Sequence, residues 1–556
     1  MAETISVDRR LETAEFAVDR RTDTVGITVD LRRPNPNILL ITIDDVGVDL
    51  FGGVSAYDTW LQAWAGVPLG GVDWAMLPTL QSLADEGVTF TEARSHPNCS
   101  PFRAGWMSGR YGFRTGVTTV VRDDHALPGV FAEFGTSPSD TETIIPKLLT
   151  TNGYRTCCVG KWHLGLPDGG VPPNGVPWDG SPAWQVGSGW SHPTDIGWGD
   201  FRGTFQNLNK EPQPPTADGY SPGYSNFFYR DTKADPGDPE IEQKSGVHHT
   251  VWTRQQLQNW IKLQPGVEPW MAVWNLSACH APFGDTVNNG ANQSGYAPPA
   301  SFDPGPGWTD PFIYDTGTVW GSTMASLELI DHQLNELRTN LGSIWDRTVV
   351  IVVGDNGSDG TILSDGVSDG HDWGSTYETT VVSGGRTKST VYEAGLRVPL
   401  IIRGPADVVA SGGRTSAELV DTVDLYATIR ALSSSSDAEA VASGHVFDSY
   451  SFRRVLQGAS ETSDRTFSYS ERAEPNGDPD AATLRMDCFT ATLASPYTPG
   501  RWKLVRNMGS PNELYKIADG NGDPADPYET MDVKGTATAE YARLQALLAT
   551  HLATEP

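Results

Sequence analysis

The chain has 556 residues, 38% of them hydrophobic and 20% charged, with 59 Gly, 39 Pro and 18 Trp, and a formal net charge of -29. This length exceeds one ordinary core and predicts a large domain with a smaller companion, and the balance of apolar and charged residues excludes a fibrous or disordered chain. Sixty-nine acids against 40 bases argue against nucleic acid or an anionic membrane as partner, since the long-range term would be repulsive, and suit a salt-rich medium.

No run approaches the ~20 apolar residues of a membrane span. The opening MAETISVDRRLETAEF lacks the apolar core of a secretory signal, so the expected compartment is the cytoplasm as written, or the periplasm or exterior if a signal was removed. Residues 1–33 echo Val7-Asp8-Arg9-Arg10 at Val18-Asp19-Arg20-Arg21 and loosely from Val29, and the alternation in VGITVDLRR predicts a hairpin arm.

Next comes Ile38-Leu39-Leu40-Ile41-Thr42-Ile43 followed by Asp44-Asp45. Such a run predicts a buried parallel strand that delivers carboxylates at its C-terminal edge, where open α/β sheets place their sites. Alone, the pair reads as a solvated turn. The stretch NCSPFRAGWMSGRYGFRTG, Asn98 to Gly116, sets a thiol at Cys99, a proline two positions on and Arg103 four positions on, entering a helix that ends at a glycine. By itself Cys99 reads either as a buried structural cysteine or as a nucleophile. Five cysteines (Cys99, Cys157, Cys158, Cys279 and Cys488) are too few and too irregular for a disulfide scaffold, and the adjacent pair, in an apolar strand, reads as core.

That strand leads to Gly160-Lys161-Trp162-His163, a cation and an imidazole one residue apart; each alone reads as a surface charge or a satisfied histidine. Residues 166–250 are rich in Gly and Pro and carry Trp178, Trp184, Trp190 and Trp198, while 358–386 form a second Gly/Ser/Asp-rich insertion. Both read as walls or lids, with tryptophans that stack on a ring or pin the loop. MAVWNLSACHAPF places His280 at a strand end before a proline turn, and Thr348-Val349-Val350-Ile351-Val352-Val353 is a second buried strand, ending in Gly354-Asp355-Asn356-Gly357. Two strands ending in oxygen donors predict a site of Asp44, Asp45, Asp355 and Asn356, all-oxygen and therefore suited to Ca²⁺ or Mg²⁺ more than to zinc. Lys388 precedes a further apolar strand, Val398 to Ile402, in KSTVYEAGLRVP.

In this order the Asp-Asp strand, the Cys99 motif, GKWHLG, the His280 turn, the Asp-Asn-Gly strand and YEAGLRVP resemble the type I sulfatases of the alkaline phosphatase superfamily. The resemblance runs through Asp421-Thr422-Val423-Asp424-Leu425-Tyr426 to Arg501-Trp502-Lys503-Leu504-Val505 and Glu513-Leu514-Tyr515. The expected architecture is α/β: a catalytic domain over 34–450 with a large, mostly parallel sheet sandwiched by helices, then a subdomain over 451–556 with a small antiparallel sheet and a helix. Thr538 is the expected N-cap of that helix, with Tyr541, Leu544, Leu547 and Leu548 on one face. The resemblance implies that a formylglycine-generating enzyme converts Cys99 to formylglycine, whose hydrate attacks sulfur and then expels sulfate. It implies Lys161 and Lys388 as a clamp on the sulfuryl oxygens, His280 as acid for the leaving oxygen, His163 as helper of the diol and Arg103 as its holder. Departures from the family pattern are Phe102 where a small residue is usual, Ala394 for a common glycine and Asp448-Ser449 for Asp-Gly. The implied substrate is a small-molecule or carbohydrate sulfate ester. The competing readings are a phosphonate or phosphate ester hydrolase of the same superfamily and a non-catalytic acidic binding protein, and neither the natural ester nor the oligomeric state is set by the sequence.

Overall fold

The computed structural model describes residues 13–20, 23–30, 35–58, 61, 74–121, 144–164, 193–194, 196–204, 207–208, 226–231, 241–245, 247–266, 268–280, 318–368, 373–410, 412–434, 446–458, 463–474, 484–507, 509–522 and 524–554. The strands begin with a hairpin, β1 (Thr13–Arg20) and β2 (Asp23–Asp30), as the alternation in the arm predicts. The body then supplies β3 (Asn37–Ile43), β4 (Val88–Phe90), β5 (Ala93–Arg94), β6 (Arg155–Lys161), β7 (Asp200–Thr204), β8 (Asn226–Asp231), β9 (Ile241–Ser245) and β10 (Trp270–Asn275). It continues with β11 (Thr348–Gly354), β12 (Leu400–Arg403), β13 (Arg414–Ser416) and β14 (Val420–Asp421), and ends in β15 (Phe467–Glu474), β16 (Leu484–Leu493), β17 (Gly500–Asn507) and β18 (Glu513–Asp519).

Among the described residues ten strands form one sheet in the order β13-β4-β12-β11-β3-β10-β6-β7-β8-β9. Its centre, β11-β3-β10-β6-β7, is parallel throughout. The expected mostly parallel sheet is found, with β13 also parallel to β4 at one edge, and antiparallel pairs enter on the flanks, β11 against β12 and β12 against β4 on one side, β7 against β8 and β8 against β9 on the other. The central strands are apolar without alternation because both faces are covered. All seven residues of β3 and all seven of β11 are buried.

Helices cover the two faces: α1 (Pro78–Glu86), α2 (Cys99–Ser108), α3 (Ile145–Thr151), α4 (His249–Lys262), α5 (Val319–Leu341) and α6 (Asp424–Leu432). Leu39 and Ile41 point to one face, packed with Leu80 of α1, Trp260 of α4 and Met324 and Leu327 of α5. Ile38 and Leu40 point to the other, with Phe102 of α2, Leu149 of α3 and Ile429 of α6. No helix among the described residues is long and apolar enough to cross a membrane.

The C-terminal strands form an antiparallel sheet, β15-β16-β17-β18, backed by α7 (Thr538–Leu552). Leu544 and Leu548 pack with Phe489, Trp502 and Leu504, and Tyr541 and Leu547 lie half-buried against the same cluster. The cap of α7 falls one residue earlier than expected: Ala537 occupies it and Thr538 is already helical, because a turn in which Val533 O accepts from Thr536 and Ala537 N–H leads the chain into the helix. The sheet's other face packs Cys488, Val505, Tyr515 and Ile517 against Val391 and Leu396.

Two expectations on loops and one on the paired cysteines receive an answer in part. Trp198 is buried against Trp106, an anchoring role, while Trp178, Trp184 and Trp190 lie outside the described residues. Cys157 and Cys158 lie in β6 as buried core thiols. Much of the 358–386 insertion is helical, in Gly360–Ser368, Ser375–Tyr377 and Glu378–Val382, since Ile362, Leu363, Tyr377 and Val381 provide an apolar side that the core buries.

Candidate active site

Register brings the site together. Gly354 pairs with Ile43, Asn275 with Thr42 and Gly160 with Asn275, so the C-terminal ends of β11, β3, β10 and β6 finish level. Asp355 and Asp44 come just past β11 and β3, the turn to His280 follows β10, and Lys161 is the last residue of β6. Gly160 permits this level finish: with φ of 99° and a would-be Cβ 1.9 Å from Asn275 O, no side chain fits there. Backbone bonds lock the turns together, Asp355 N–H to Ile43 O (3.1 Å) and Cys279 N–H to Asp44 O (3.0 Å).

Asp44, Asp45, Asp355 and Asn356 are at most 1% exposed. Asp355 Oδ1 accepts from Asp45 N–H (3.0 Å), and Asn356 Nδ2 donates to Asp45 Oδ1 (3.0 Å), which turns the amide oxygen away from that bond. Lys388 Nζ donates to Asp45 at 2.6 Å, Lys161 Nζ pairs with Asp44 Oδ2, and Arg103 lies 3.5 Å from Asp355 Oδ2 while its Nη1 donates to Lys161 O (2.8 Å). After these bonds three buried oxygens, Asp44 Oδ1, Asp355 Oδ2 and Asn356 Oδ1, have no hydrogen-bond partner. Buried oxygens are rarely left so, and an all-oxygen donor set of this kind fits a hard divalent cation.

Cys99 opens α2 at the rim of this cluster. One ligand atom from each of Asp44, Cys99 and Asp355 lies within 4.8 Å of the others. Cys99 Sγ is 3.1 Å from His163 Nδ1, and Ser100 Oγ donates to His163 O at 2.9 Å, tying the start of the helix to the loop after β6. His280 Nε2 lies 3.7 Å from Asp45 Oδ2, its side chain 19% exposed. Five non-glycine described residues have positive φ, and three are here: Asp45 (60°), His163 (54°) and Ser389 (68°). Strain of this kind gathers at functional sites.

Burial pushes the Cys99 thiol up to about 11, with Lys161 opposing and Asp44 reinforcing, so the unmodified group is a neutral thiol near pH 7. Burial alone would raise Asp44 too, but Lys161, His280, Arg103 and Lys388 hold it well below the usual carboxylate range. Asp355 goes the other way, raised by burial and by Asp44 against the pull of Arg103. His163 falls well below its ordinary value through burial and the nearby Lys161 and Arg103, and burial and Lys388 lower His280. Lys388 is raised, its burial outweighed by Asp45.

The sulfatase family model matches residues 36–434. The chain belongs to the sulfatase family. Among curated relatives it resembles mouse arylsulfatase G, 26% identical over 451 residues covering 78% of this chain and 71% of that one. Among solved structures it shares the fold of Ps i-CgsB in complex with k-i-k-neocarrahexaose (TM-score 0.59, 19% identity, 93% of this chain and 92% of the other). It also shares the fold of the phosphonate monoester hydrolase of Agrobacterium radiobacter (TM-score 0.54, 17% identity, 93% and 95%). As a sulfatase the chain is a sulfuric ester hydrolase.

All ten residues singled out in the sequence lie at this one sheet edge. Several neighbours escape the sequence reading. Asn98, 2% exposed, donates through Nδ2 to Ser389 Oγ (2.8 Å) and ties the segment before Cys99 to the one carrying Lys388. Its place directly before Cys99 was the available signal. Asp49 and Ser358 sit in Gly- and Asp-rich turns, where an acid or hydroxyl reads as solvated, and both are buried.

Proposed function

We propose that this sulfatase hydrolyses sulfate monoesters of a small molecule or carbohydrate with residue 99 as nucleophile after conversion to formylglycine, and with a divalent cation, Ca²⁺ or Mg²⁺, held by Asp44, Asp45, Asp355 and Asn356. The observation that carries the reading is Cys99 Sγ set beside Asp44 and Asp355 at the head of a buried helix. A thiol raised to about 11 is a poor nucleophile at neutral pH, which favours a converted residue. Formylglycine would supply a geminal diol, one hydroxyl to attack sulfur and one to release sulfate. The cation would supply positive charge at the sulfuryl oxygens and acidify the attacking hydroxyl.

The chain's own side chains carry the rest. Lys388 and Lys161 bring cations to the mouth of the site and would hold the anionic ester. His163, kept neutral by burial and its cationic neighbours, is able to take a proton from residue 99, 3.1 Å away. His280 is the proton donor to the leaving oxygen; burial lowers it in the free site, and a bound anion beside it favours the protonated form. Arg103 bridges Lys161 O and the Asp355 carboxylate and fixes their separation. A formylglycine-generating enzyme is the partner in maturation.

The test is parallel turnover of 4-nitrophenyl sulfate and 4-nitrophenyl phosphate, with mass spectrometry of the peptide containing residue 99. Sulfate turnover proportional to the converted fraction is expected. Faster phosphate turnover would move the chain to the second reading, a phosphoryl or phosphonyl hydrolase of the fold shared with the Agrobacterium enzyme. No turnover by converted, ion-loaded protein would leave a binding protein.

A further inference from the structure

Asp49 lies four residues beyond Asp45, is 4% exposed, and reaches no group assigned a part in the reaction. Its carboxylate is nonetheless taken up on both oxygens. Ser358 Oγ donates to Oδ1 at 2.5 Å, and Tyr377 OH donates to Oδ2. Ser358 stands two residues past Asn356, and its Oγ also accepts from Gly47 N–H at 3.0 Å, between the acid pair and Asp49 itself. Its carbonyl accepts the N–H of Lys388 at 2.9 Å. Tyr377 lies on the segment that leads to Lys388, its ring stacked on Trp373 with centroids 5.3 Å apart.

Asp49 is thus the point where three chain segments meet: its own, carrying Asp44 and Asp45; that of Ser358, carrying Asp355 and Asn356; and that of Tyr377, carrying Lys388. We infer that Asp49 is a positioning residue that sets the distance between the acid cluster and Lys388 by accepting from Ser358 and Tyr377. The inference rests on the proposed role of Lys388 and of the acid cluster. Two hydroxyls donating to one buried carboxylate, with Ser358 Oγ also accepting from Gly47 N–H, leave little freedom for any of the three segments to slide. Hydrogen bonds to a carboxylate are among the stronger neutral-to-charged kind. The carboxylate matters and not merely the space: an amide in its place has one acceptor oxygen for two donors.

Tyr377→Phe and Asp49→Asn test this, the first keeping the aromatic stack and the second the volume. The expected result is a fall in kcat of about 10- to 100-fold, the usual range for partners that orient a site, with the thermal midpoint of Tyr377→Phe within about 3 °C of wild type. With Ca²⁺ at saturation, the same substitution in a Lys388→Ala background should cost less than about twofold in kcat, because the group it positions is gone and the weakened cation site is filled. Equal losses in both backgrounds would make Asp49 a structural acid only and overturn the inference. Ca²⁺ titration calorimetry on metal-stripped protein gives a readout apart from turnover, in which Asp49→Asn should weaken binding by about tenfold or more. Unchanged Ca²⁺ affinity together with unchanged kcat would overturn it as well. Should wild type bind Ca²⁺ but turn over no sulfate ester, the proposed reaction fails while the affinity arm still decides the role of Asp49.

Discussion

The cluster around Asp44 and the cluster around Glu393 each bury three carboxylates among cations, and they treat them in opposite ways. Glu92, Glu393 and Glu529 are met by Arg94, Arg397, Arg501 and Lys503. Glu393 Oε1 accepts from Arg94 Nε (3.2 Å) and Lys503 Nζ (2.9 Å), and its Oε2 from Arg94 Nη2 (2.7 Å) and Arg397 Nε (2.5 Å). Glu529 Oε2 accepts from Glu393 N–H, and Lys503 lies 2.8 Å from its Oε1. Every carboxylate oxygen there has a cation or an N–H beside it. Around Asp44, Asp45 and Asp355, Arg103, Lys161 and Lys388 supply as many positive charges as there are carboxylates, yet Asp44 Oδ1, Asp355 Oδ2 and Asn356 Oδ1 have no hydrogen bond. Net charge alone does not separate the two regions. What separates them is how closely the oxygens are met: in the Glu393 cluster, which joins the C-terminal sheet to the body, Glu529 Oε1 makes no hydrogen bond but has Lys503 at 2.8 Å, whereas around Asp44 three oxygens make none, Asp355 Oδ2 has its cation at 3.5 Å, and the set suits a hard cation.

The contrast is broken most severely at the open cluster. Asp355→Ala or Asp44→Ala should lower turnover by about a thousandfold or more and abolish cation binding with it, because the remaining donors are too few for a hard ion. For Asp355→Ala the thermal midpoint of the metal-stripped protein should change little, since Asp355 in that state is a raised, ill-solvated acid, whereas Asp44→Ala leaves the buried Lys161 without its carboxylate and should lower the midpoint. Retained Ca²⁺ binding in calorimetry would show that the open oxygens are not ligands.

At the saturated cluster the order of effects reverses. Glu393→Ala strips partners from Arg94, Arg397 and Lys503 at once and leaves buried cations uncompensated, which costs about 3–5 kcal/mol. Chemical denaturation should read this as a lower midpoint, while stripping the metal from wild type leaves the contacts between the C-terminal sheet and the body in place. A Glu393→Ala protein as stable as wild type would mean that the ion pairs only break even against their desolvation.

The legible parts of the molecule were those whose pattern is local. β3 and β11 are readable because a strand covered on both faces is apolar at every position, and the acids at their ends stand out against that run. The antiparallel flanks were not, since β4 and β12 have three and four residues and nothing in so short a run records the direction of a partner far along the chain. Glu393 and Arg397 lie in a recognisable string, but Arg501 and Lys503 reach them from the C-terminal sheet and Glu529 from the segment after it, over 100 residues away. Asp49 shows the same limit at the site itself: an acid in a glycine-containing turn reads as solvated until folding brings Ser358 and Tyr377 to it.

Acid should act with opposite sign on Glu92 of one cluster and Asp355 of the other. Burial opposes the charged form of Glu92, but Arg397, Arg501 and Arg94 prevail and bring it from 4.5 to about 2. A carboxylate lowered in the folded state contributes stability that is fully present above its unfolded value, and that contribution is lost as pH falls from about 4.5 towards 2. Glu393 is shifted in the same direction by Arg94, Lys503 and Arg397. Asp355 is raised, so without a cation its ionisation costs stability near neutrality, and that cost disappears as pH falls through the raised value. A bound cation favours ionised Asp355, and protons therefore compete with it. Thermal melts of metal-stripped protein with and without added Ca²⁺ should show a gap of a few degrees near pH 7.5 that narrows as pH is lowered towards 5, before either form loses stability. Below about 4.5 both forms should fall together as the Glu92 and Glu393 pairs are protonated. A gap that stays constant from pH 7.5 down to the pH at which the folded protein itself is lost would remove Asp355 from the ligand set, since a ligand whose proton must leave before the ion binds cannot give a pH-independent difference.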